Sequence, residues 1–422
     1  MLASKAIQMI QDNSLDFTPY YLDPQRSALQ PKRYTQALQA FIDLYGDKDI
    51  AIFSVPGRSE VSGNHTDHQR GQVLATSVNM DMIAVAAKTD SIIKVKSDDL
   101  DIPAIEINDL QPHEEEYGTS TALIRGVVAG LKNNNHTIGG FQAYITSDVL
   151  SGSGLSSSAA FEGLIGFIES GLYNDMAIDP VEISKIGQHS ENVFFGKPCG
   201  LMDQCACCVG GLIHIDFKDP HQPIVNKVDV DFSRYNHSLC IVDVHASHAD
   251  LTDDYAAVPA EMKQVARYFD KDVLRDVDPK DFYSQLADIR KTVSDRALLR
   301  TIHFFNENDR VQLAVDALQS DDFKQFCRII TESGKSSFTY LQNVYSNHDV
   351  EHQAVSLALA LSENILKEHG VCRVHGGGFA GTIQAFVQDS YVQTYKEEIE
   401  KVFGKDSCHI LKIRNVGGVR IL

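Results

Sequence analysis

A chain of 422 residues that is 43% hydrophobic and 23% charged is long enough for two domains with packed cores, and its composition excludes a disordered protein. No apolar run reaches the 18 or so residues of a membrane span, and the amphipathic start at residues 1–8 meets Asp12 and Asn13 too early for a signal peptide, so a cytoplasmic protein is expected. The formal charge of −19 excludes general binding to nucleic-acid backbones, and any phosphate must be gripped locally.

Residues 1–33 read as a helical segment followed by a linker punctuated by Pro19, Pro24 and Pro31. Residues 34–45 carry Leu38, Phe41, Ile42 and Tyr45 at helical spacing, and Gly46 stops that helix before an apolar strand at 50–55. Residues 56–68, Pro-Gly-Arg-Ser-Glu-Val-Ser-Gly-Asn-His-Thr-Asp-His, follow as a loop that crowds polar function around two glycines, as a pocket would; a solvated hairpin is the competing reading. Strand-like alternation runs over 71–95, a helix over 117–131 and a strand over 140–147.

Gly152, Ser153, Gly154, Leu155, Ser156, Ser157 and Ser158 then break the apolar pattern where a strand hands over to a helix. Glycines there let the backbone approach an anion, the unpaired N–H groups of the first helical turn point at it, and the helix dipole adds about half a positive charge. The alternative is a serine N-cap on an ordinary helix. A helix over 180–195 carries Glu191 and ends at Gly196. Residues 196–204, Gly-Lys-Pro-Cys-Gly-Leu-Met-Asp-Gln, set Asp203 beside Leu201 and Met202, where a partly desolvated carboxylate is either structural or catalytic.

Four of the eight cysteines crowd into residues 199–208, but Cys-x-Cys-Cys is not a zinc spacing, and free, mostly buried thiols are expected. Strands at 213–217 and 239–244 flank Pro220 and Pro223, which mark a domain boundary near 215–235. The second half is more helical, over 310–318, 323–331 and 351–367. Ser-Gly-Lys-Ser-Ser at 333–337 imitates the tail of a Walker loop, but the first glycine of that motif would fall on Ile329 and the stretch follows a helix, so it is set aside. Gly376, Gly377, Gly378 and Gly381 precede an alternating strand and permit close backbone approach to a ligand or to the other domain.

Pro-Gly-Arg…Gly-Asn-His-Thr-Asp, Gly-Leu-Ser-Ser-Ser-Ala-Ala, Cys-Gly-Leu-Met-Asp-Gln and Gly-Gly-Gly-Phe-Ala-Gly stand here in the order and rough spacing of the GHMP small-molecule kinases, and the chain resembles their galactokinase branch over residues 34–422. That resemblance implies an α+β fold of two-domain GHMP kinase architecture with the active site in the interdomain cleft. Residues 1–33 would be an N-terminal extension, 34–220 the domain with the sugar-binding motif and phosphate loop, and 221–422 the domain with the glycine-rich motif. It implies ATP-dependent phosphorylation of galactose at its anomeric hydroxyl, with Asp203 as catalytic aspartate and Arg58 as its partner. Asn64, His65, Asp67, Gly200 and Tyr255 would contact the sugar, residues 152–158 the ATP, and Ser158 and Glu191 the Mg²⁺. Sugar and ATP are the expected partners, with neither nucleic acid nor membrane, in a monomer or weak dimer.

Where galactokinases read Gly-Arg-Val-Asn-Leu-Ile-Gly-Glu-His-Thr-Asp-Tyr, this chain has Ser59-Glu60-Val61-Ser62, then Asn64 for the glutamate and His68 for the tyrosine; after Tyr255 the usual arginines give way to Ala256-Ala257-Val258-Pro259. The glutamate is implicated at the sugar's C6 hydroxyl, so Asn64 raises two alternatives: a kinase for a C6-modified sugar such as galacturonate, and a non-catalytic galactose and ATP sensor, against which the intact serine loop speaks.

Overall fold

The computed structural model describes all residues except 150–153, 246–250 and 380. Helix α1 (Ala3–Gln11) packs against α2 (Pro24–Tyr45), which Asp23 caps by accepting from the Arg26 amide and which Gly46 ends at φ +84°. Pro24 sits at the first helical position, where its missing N–H costs nothing, but Pro31 lies inside the helix. The proline-punctuated linker expected before residue 34 is therefore helix from Pro24 onward, after a single turn at Thr18–Tyr21 that holds Pro19, and a boundary between 33 and 34 cuts α2. Tertiary contacts outweigh the roughly 3 kcal/mol cost of an interior proline: Tyr34 and Phe41 are fully buried, and the Arg33 guanidinium reaches Asp81 at 2.6 Å.

Strand β1 (Ala51–Ser62) runs antiparallel to the long β2 (Gln72–Thr89), so the polar residues expected in a loop at 56–62 are strand residues, with register shifts between Pro56 and Arg58 and between Glu60 and Ser62. Next come β3 (Ile92–Ser97), α3 (Ser120–Asn133), β4 (Gly140–Ser147), α4 (Ser157–Tyr173), α5 (Pro180–His189), α6 (Met202–Val209), and the hairpin of β5 (Leu212–Asp216) and β6 (Ile224–Val228). That hairpin pairs with residues 72–76 of β2, so Pro220 and Pro223 flank its turn rather than a linker, and the first sheet keeps the chain as far as Val228. The second half holds β7 (His237–Asp243), α7 (Thr252–Tyr268), α8 (Asp295–Gln319), α9 (Phe323–Ser336), α10 (Ala354–Leu366), β8 (Gly370–Val374), β9 (Thr382–Gln388), α11 (Val392–Phe403), β10 (Cys408–Leu411) and β11 (Val419–Arg420).

A nine-stranded sheet includes the order β11-β1-β2-β4-β3, and a four-stranded sheet has the order β8-β9-β7-β10. Because β2 is covered on both faces it shows a nearly continuous buried run: Met82, Ala84 and Ala86 face α3 and α4, while Ile83, Val85 and Ala87 face α1 and α2. Residues 1–33 are thus the cover of one sheet face. The main core continues from α3 and α4 through Val311, Phe326 and Ile330 of α8 and α9 to Phe386 of the second sheet. Ser333-Gly334-Lys335-Ser336 is the end of α9, not a phosphate loop.

Candidate active site

The site forms where β1, the start of α4, the start of α6 and the glycine-rich turn before β9 meet. The bulge after Pro56 leaves Gly57 out of the register, and Arg58 resumes the pairing opposite Ser77. Its Nε donates to Asp203 Oδ1 at 2.6 Å, Nη2 to Oδ2 and Nη1 to the Gly154 carbonyl, while its backbone amide donates to Leu155 O at 3.0 Å. Asp203 lies in the first turn of α6, whose N-terminal amides favour negative charge. Burial pushes its carboxyl up, but Arg58, through its charge and hydrogen bonds, with help from Ser156, outweighs this and holds it below the ordinary range. It is ionised at neutral pH and 30% exposed, so one side stays open.

Ser156 precedes α4 at φ +60°, a left-handed conformation that costs a serine about 1 kcal/mol or more. Its hydroxyl makes no cap; it donates to Asp203 Oδ2 at 2.6 Å. The expected phosphate ligand is thus an aspartate partner, and the first amides of α4 keep no side-chain cap, which suits an anion. Leu155 is buried; Gly154 is exposed at φ +73°, and Ser157 and Ser158 open α4 half-buried. Gly152 and Ser153 lie outside the described residues.

Asp67 opens a one-turn helix (Asp67–Gln69) and faces the same space. A Cβ on Gly200 would come within 2.8 Å of Asp67 Oδ2, so a larger residue there would displace the Asp67 carboxylate. Burial raises the Asp67 carboxyl, His65 opposes the shift and the charge of Asp203 adds to it, so the two carboxylates share one field. His65 Nε2 lies 3.0 Å from Gly377 O, and Tyr255 donates to Gly378 O at 2.8 Å. Both expected sugar contacts are held on the glycine turn.

Asn64 is placed differently from the expectation of a substrate contact. It is 0% exposed; Nδ2 donates to Gly376 O at 2.6 Å and Glu60 Oε1 at 3.2 Å, and Oδ1 accepts from Asn343 Nδ2 at 2.8 Å and Ser337 Oγ at 3.2 Å. An amide has two donors and an acceptor with two lone pairs, and all are used. Nothing is left for a sugar.

Glu191 lies in a π-turn (Ser190–Phe194) after α5, 4% exposed, with Oε1 3.2 Å from Lys197 Nζ and Oε2 accepting from Gln204 Nε2 at 3.0 Å. The same Gln204 nitrogen donates to Glu162 Oε2 at 3.0 Å, and Glu162 is one turn beyond Ser158 on α4. Glu162 Oε1 and Gln204 Oε1 are buried without a partner, and burial and then Glu191 push the Glu162 carboxyl up. This hard-oxygen corner with an orphaned carboxylate oxygen suits a dication such as Mg²⁺. Among the described residues no three His, Cys, Asp or Glu side chains converge as a metal cage, so such an ion would lean on phosphate oxygens and water.

The sequence reading missed Glu162, Gln204 and His375. The i,i+4 spacing from Ser158 could have revealed Glu162, and His375 adjoins the glycine run; Asn343 carried no signal. All eight cysteines are free thiols, five of them buried. Among the described residues no helix is long and apolar enough to cross a membrane.

A two-sheet α+β molecule with a serine loop, an arginine-held aspartate and a glycine turn at one cleft has the architecture of a GHMP kinase. The model of the GHMP kinases N terminal domain matches residues 122–211, and that of the galactokinase galactose-binding signature matches residues 39–88. The fold matches Lactococcus lactis galactokinase, solved as a complex with galactose, at TM-score 0.75 and 21% identity over 90% of this chain and 98% of that one; Methanococcus jannaschii mevalonate kinase follows the same fold at TM-score 0.60 and 16% identity over 86% and 98%. The galactokinase of Glaesserella parasuis is 30% identical over 83% of this chain and 89% of that enzyme, and that of Streptomyces coelicolor 28% identical over 86% and 92%. The chain belongs to the galactokinase family.

Proposed function

We propose that this protein transfers the γ-phosphoryl group of ATP to the anomeric C1 hydroxyl of galactose, giving galactose 1-phosphate and ADP. The observation that carries the reading is the half-open Asp203 carboxylate, ionised and fixed by Arg58 and Ser156 beside the uncapped start of α4. In-line transfer needs a positioned hydroxyl, a group to take its proton and positive charge near the transferring oxygens. Asp203 accepts the C1 hydroxyl proton as that oxygen bonds to phosphorus and the bond to the ADP oxygen breaks. Arg58 orients the carboxylate and opposes the charge of the transferring group. Asp67, which faces Gly200 across the same space, would offer its carboxylate as acceptor for a sugar hydroxyl.

Ser158 and Glu191, with Glu162 close by, would hold Mg²⁺, which when bound neutralises phosphate charge. Glu191 would exchange Lys197 for it. If so, Ser158→Ala and Glu191→Gln raise the Mg²⁺ concentration for half-maximal rate severalfold; a lowered melting temperature with an unchanged titration would make Ser158 a helix residue only. We place the passage between domains after Val228, where the first sheet releases the chain, with residues 1–33 part of the first domain.

Galacturonate has lost its support. The Asn64 amide is already bonded within the protein, and Arg70, a candidate to pair the sugar's carboxylate, lies 3.9 Å from Asp276. ADP release by the purified protein with galactose, 6-deoxygalactose, galacturonate and glucose tests the assignment; galactose gives the highest kcat/KM, and no release with any sugar would leave a binding protein.

A further inference from the structure

Three of the residues at which the first motif departs from its relatives, Ser59, Glu60 and Asn64, each hydrogen-bond to β8 or to the glycine-rich turn that follows it. Ser59 Oγ lies 3.1 Å from His375 Nε2, and His375 Nδ1 lies 2.9 Å from Thr382 Oγ1. Glu60 Oε1 accepts from Arg373 Nη2 at 2.8 Å, and the same guanidinium donates to Val61 O at 2.8 Å. Asn64 holds Gly376 O, as described. A flipped Asn64 amide would set its oxygen against the Glu60 carboxylate and a carbonyl, so the hydrogen-bond network fixes its orientation.

These ties converge on one turn. The carbonyl of Gly376 receives Asn64, that of Gly377 receives His65 and Asn343 at 3.0 and 3.2 Å, and that of Gly378 receives Tyr255. Gly376 and Gly378 have φ of +63° and +78°, a backbone that needs an external hold. From the turn the contact continues to the serine loop: a Cβ on Gly154 would lie 3.0 Å from His375 Nδ1 and 3.2 Å from Thr382 Oγ1, so the imidazole lies directly against the loop backbone. His375 is 2% exposed and pushed down to about 3 by burial and by Arg58 and Arg373, so it stays a neutral spacer.

We propose that Ser59, Glu60 and Asn64 are positioning residues that fasten the 376–378 turn across the cleft and, through His375, prop the serine loop at Gly154, so that they set nucleotide affinity and not sugar choice. The inference rests on the reading that the serine loop takes ATP. It assigns to the altered motif a hold on the glycine turn and the serine loop in place of a direct sugar contact, and it accounts for the joint presence of Asn64, Glu60 and His375.

The test measures ADP affinity by calorimetry, KM for ATP and for galactose, and the ratio of kcat/KM for galactose over 6-deoxygalactose, on wild type, Asn64→Ala, Ser59→Ala and His375→Ala. Asn64→Ala is expected to weaken ADP binding and raise KM for ATP about tenfold, the scale of one or two buried hydrogen bonds, and to leave the sugar ratio within about twofold. Ser59→Ala removes a single hydroxyl and should weaken ADP binding about threefold, which keeps the test decisive should Asn64→Ala misfold. The Ser59→Ala, His375→Ala double variant should fall short of the sum of its parts, since both break one chain. A sugar ratio moved fivefold or more with ADP affinity unchanged, or Ser59→Ala with wild-type ADP affinity, overturns the proposal. Wild-type turnover reports separately on the kinase reading: a wild type that neither binds ADP nor phosphorylates a sugar removes both.

Discussion

Asp81 and Asp203 are each gripped by arginine, and only Asp203 keeps an open face. Asp81 on β2 is fully buried: Oδ2 accepts from Tyr21 at 2.8 Å, Arg414 at 3.1 Å and also Ser54, and Oδ1 from Arg33 at 2.6 Å, so the group takes four donors and has no exposed face. Its two cations come from the N-terminal helix α2 and from the chain's end before β11, and the group ties both to the sheet. Asp203 has one arginine, one serine and an open side. Both carboxyls are held below their ordinary range although burial pushes each up, so a shifted pKa does not separate them. Unused acceptor capacity facing a cleft does.

The comparison predicts opposite phenotypes. Asp203→Asn should lose about 10²–10⁴ in turnover, the usual cost of a missing base, with an unchanged denaturation midpoint; a folded variant that keeps more than a few per cent of the rate would make Asp203 another Asp81. Asp81→Ala should destabilise by about 3–5 kcal/mol in urea unfolding, because Arg414 is left buried without a counter-ion and Arg33 keeps only Asp148, while the folded fraction keeps wild-type KM values.

Two buried groups without such arginine pairing sharpen the point through pH. His303 is fully buried between Asn64 O and Ser336 Oγ, and burial brings it down to about 4 although Glu307 opposes this. It is neutral in the fold and takes a proton near 6.5 when unfolded, so stability falls as pH drops from about 6.5 to about 4, by at most ~1.4 kcal/mol per pH unit, and His303→Gln should flatten that limb. Glu169 runs the other way. Burial lifts it to about 8 against the Gly139 amide, and its Oε1 has no partner. Its folded form holds a proton that the unfolded chain loses near 4.3, so stability falls as pH rises from about 4.3 to about 8, and Glu169→Gln should be the more stable protein at pH 8.5, a gain of about 1 kcal/mol or more. Equal midpoints there would show that Glu169 is solvated.

Much of this was legible in the sequence. Leu38, Phe41 and Tyr45 announced their helix by spacing, and Arg58, Asp67, Gly200 and Asp203, scattered over some 150 residues, are assembled at one cleft. Local signals failed where distant partners decide. Pro31 reads as a breaker because nothing near it reveals that Arg33 and Tyr34 are anchored to Asp81 and Tyr21. Asn64 reads as a pocket residue because its partners, Gly376, Asn343 and Ser337, lie 312, 279 and 273 residues away and complete its amide. Ser156 reads as a phosphate ligand, and only the folded loop turns its hydroxyl to Asp203.

The phosphorus NMR spectrum of wild-type protein incubated with ATP, Mg²⁺ and galactose bears most directly on the claim that the open side of Asp203 faces an anomeric hydroxyl. The account predicts that the γ-phosphate signal is replaced by a monoester whose phosphorus couples to the C1 proton of galactose. A phosphoryl group on another galactose carbon, or an ATP spectrum unchanged by galactose, would contradict it.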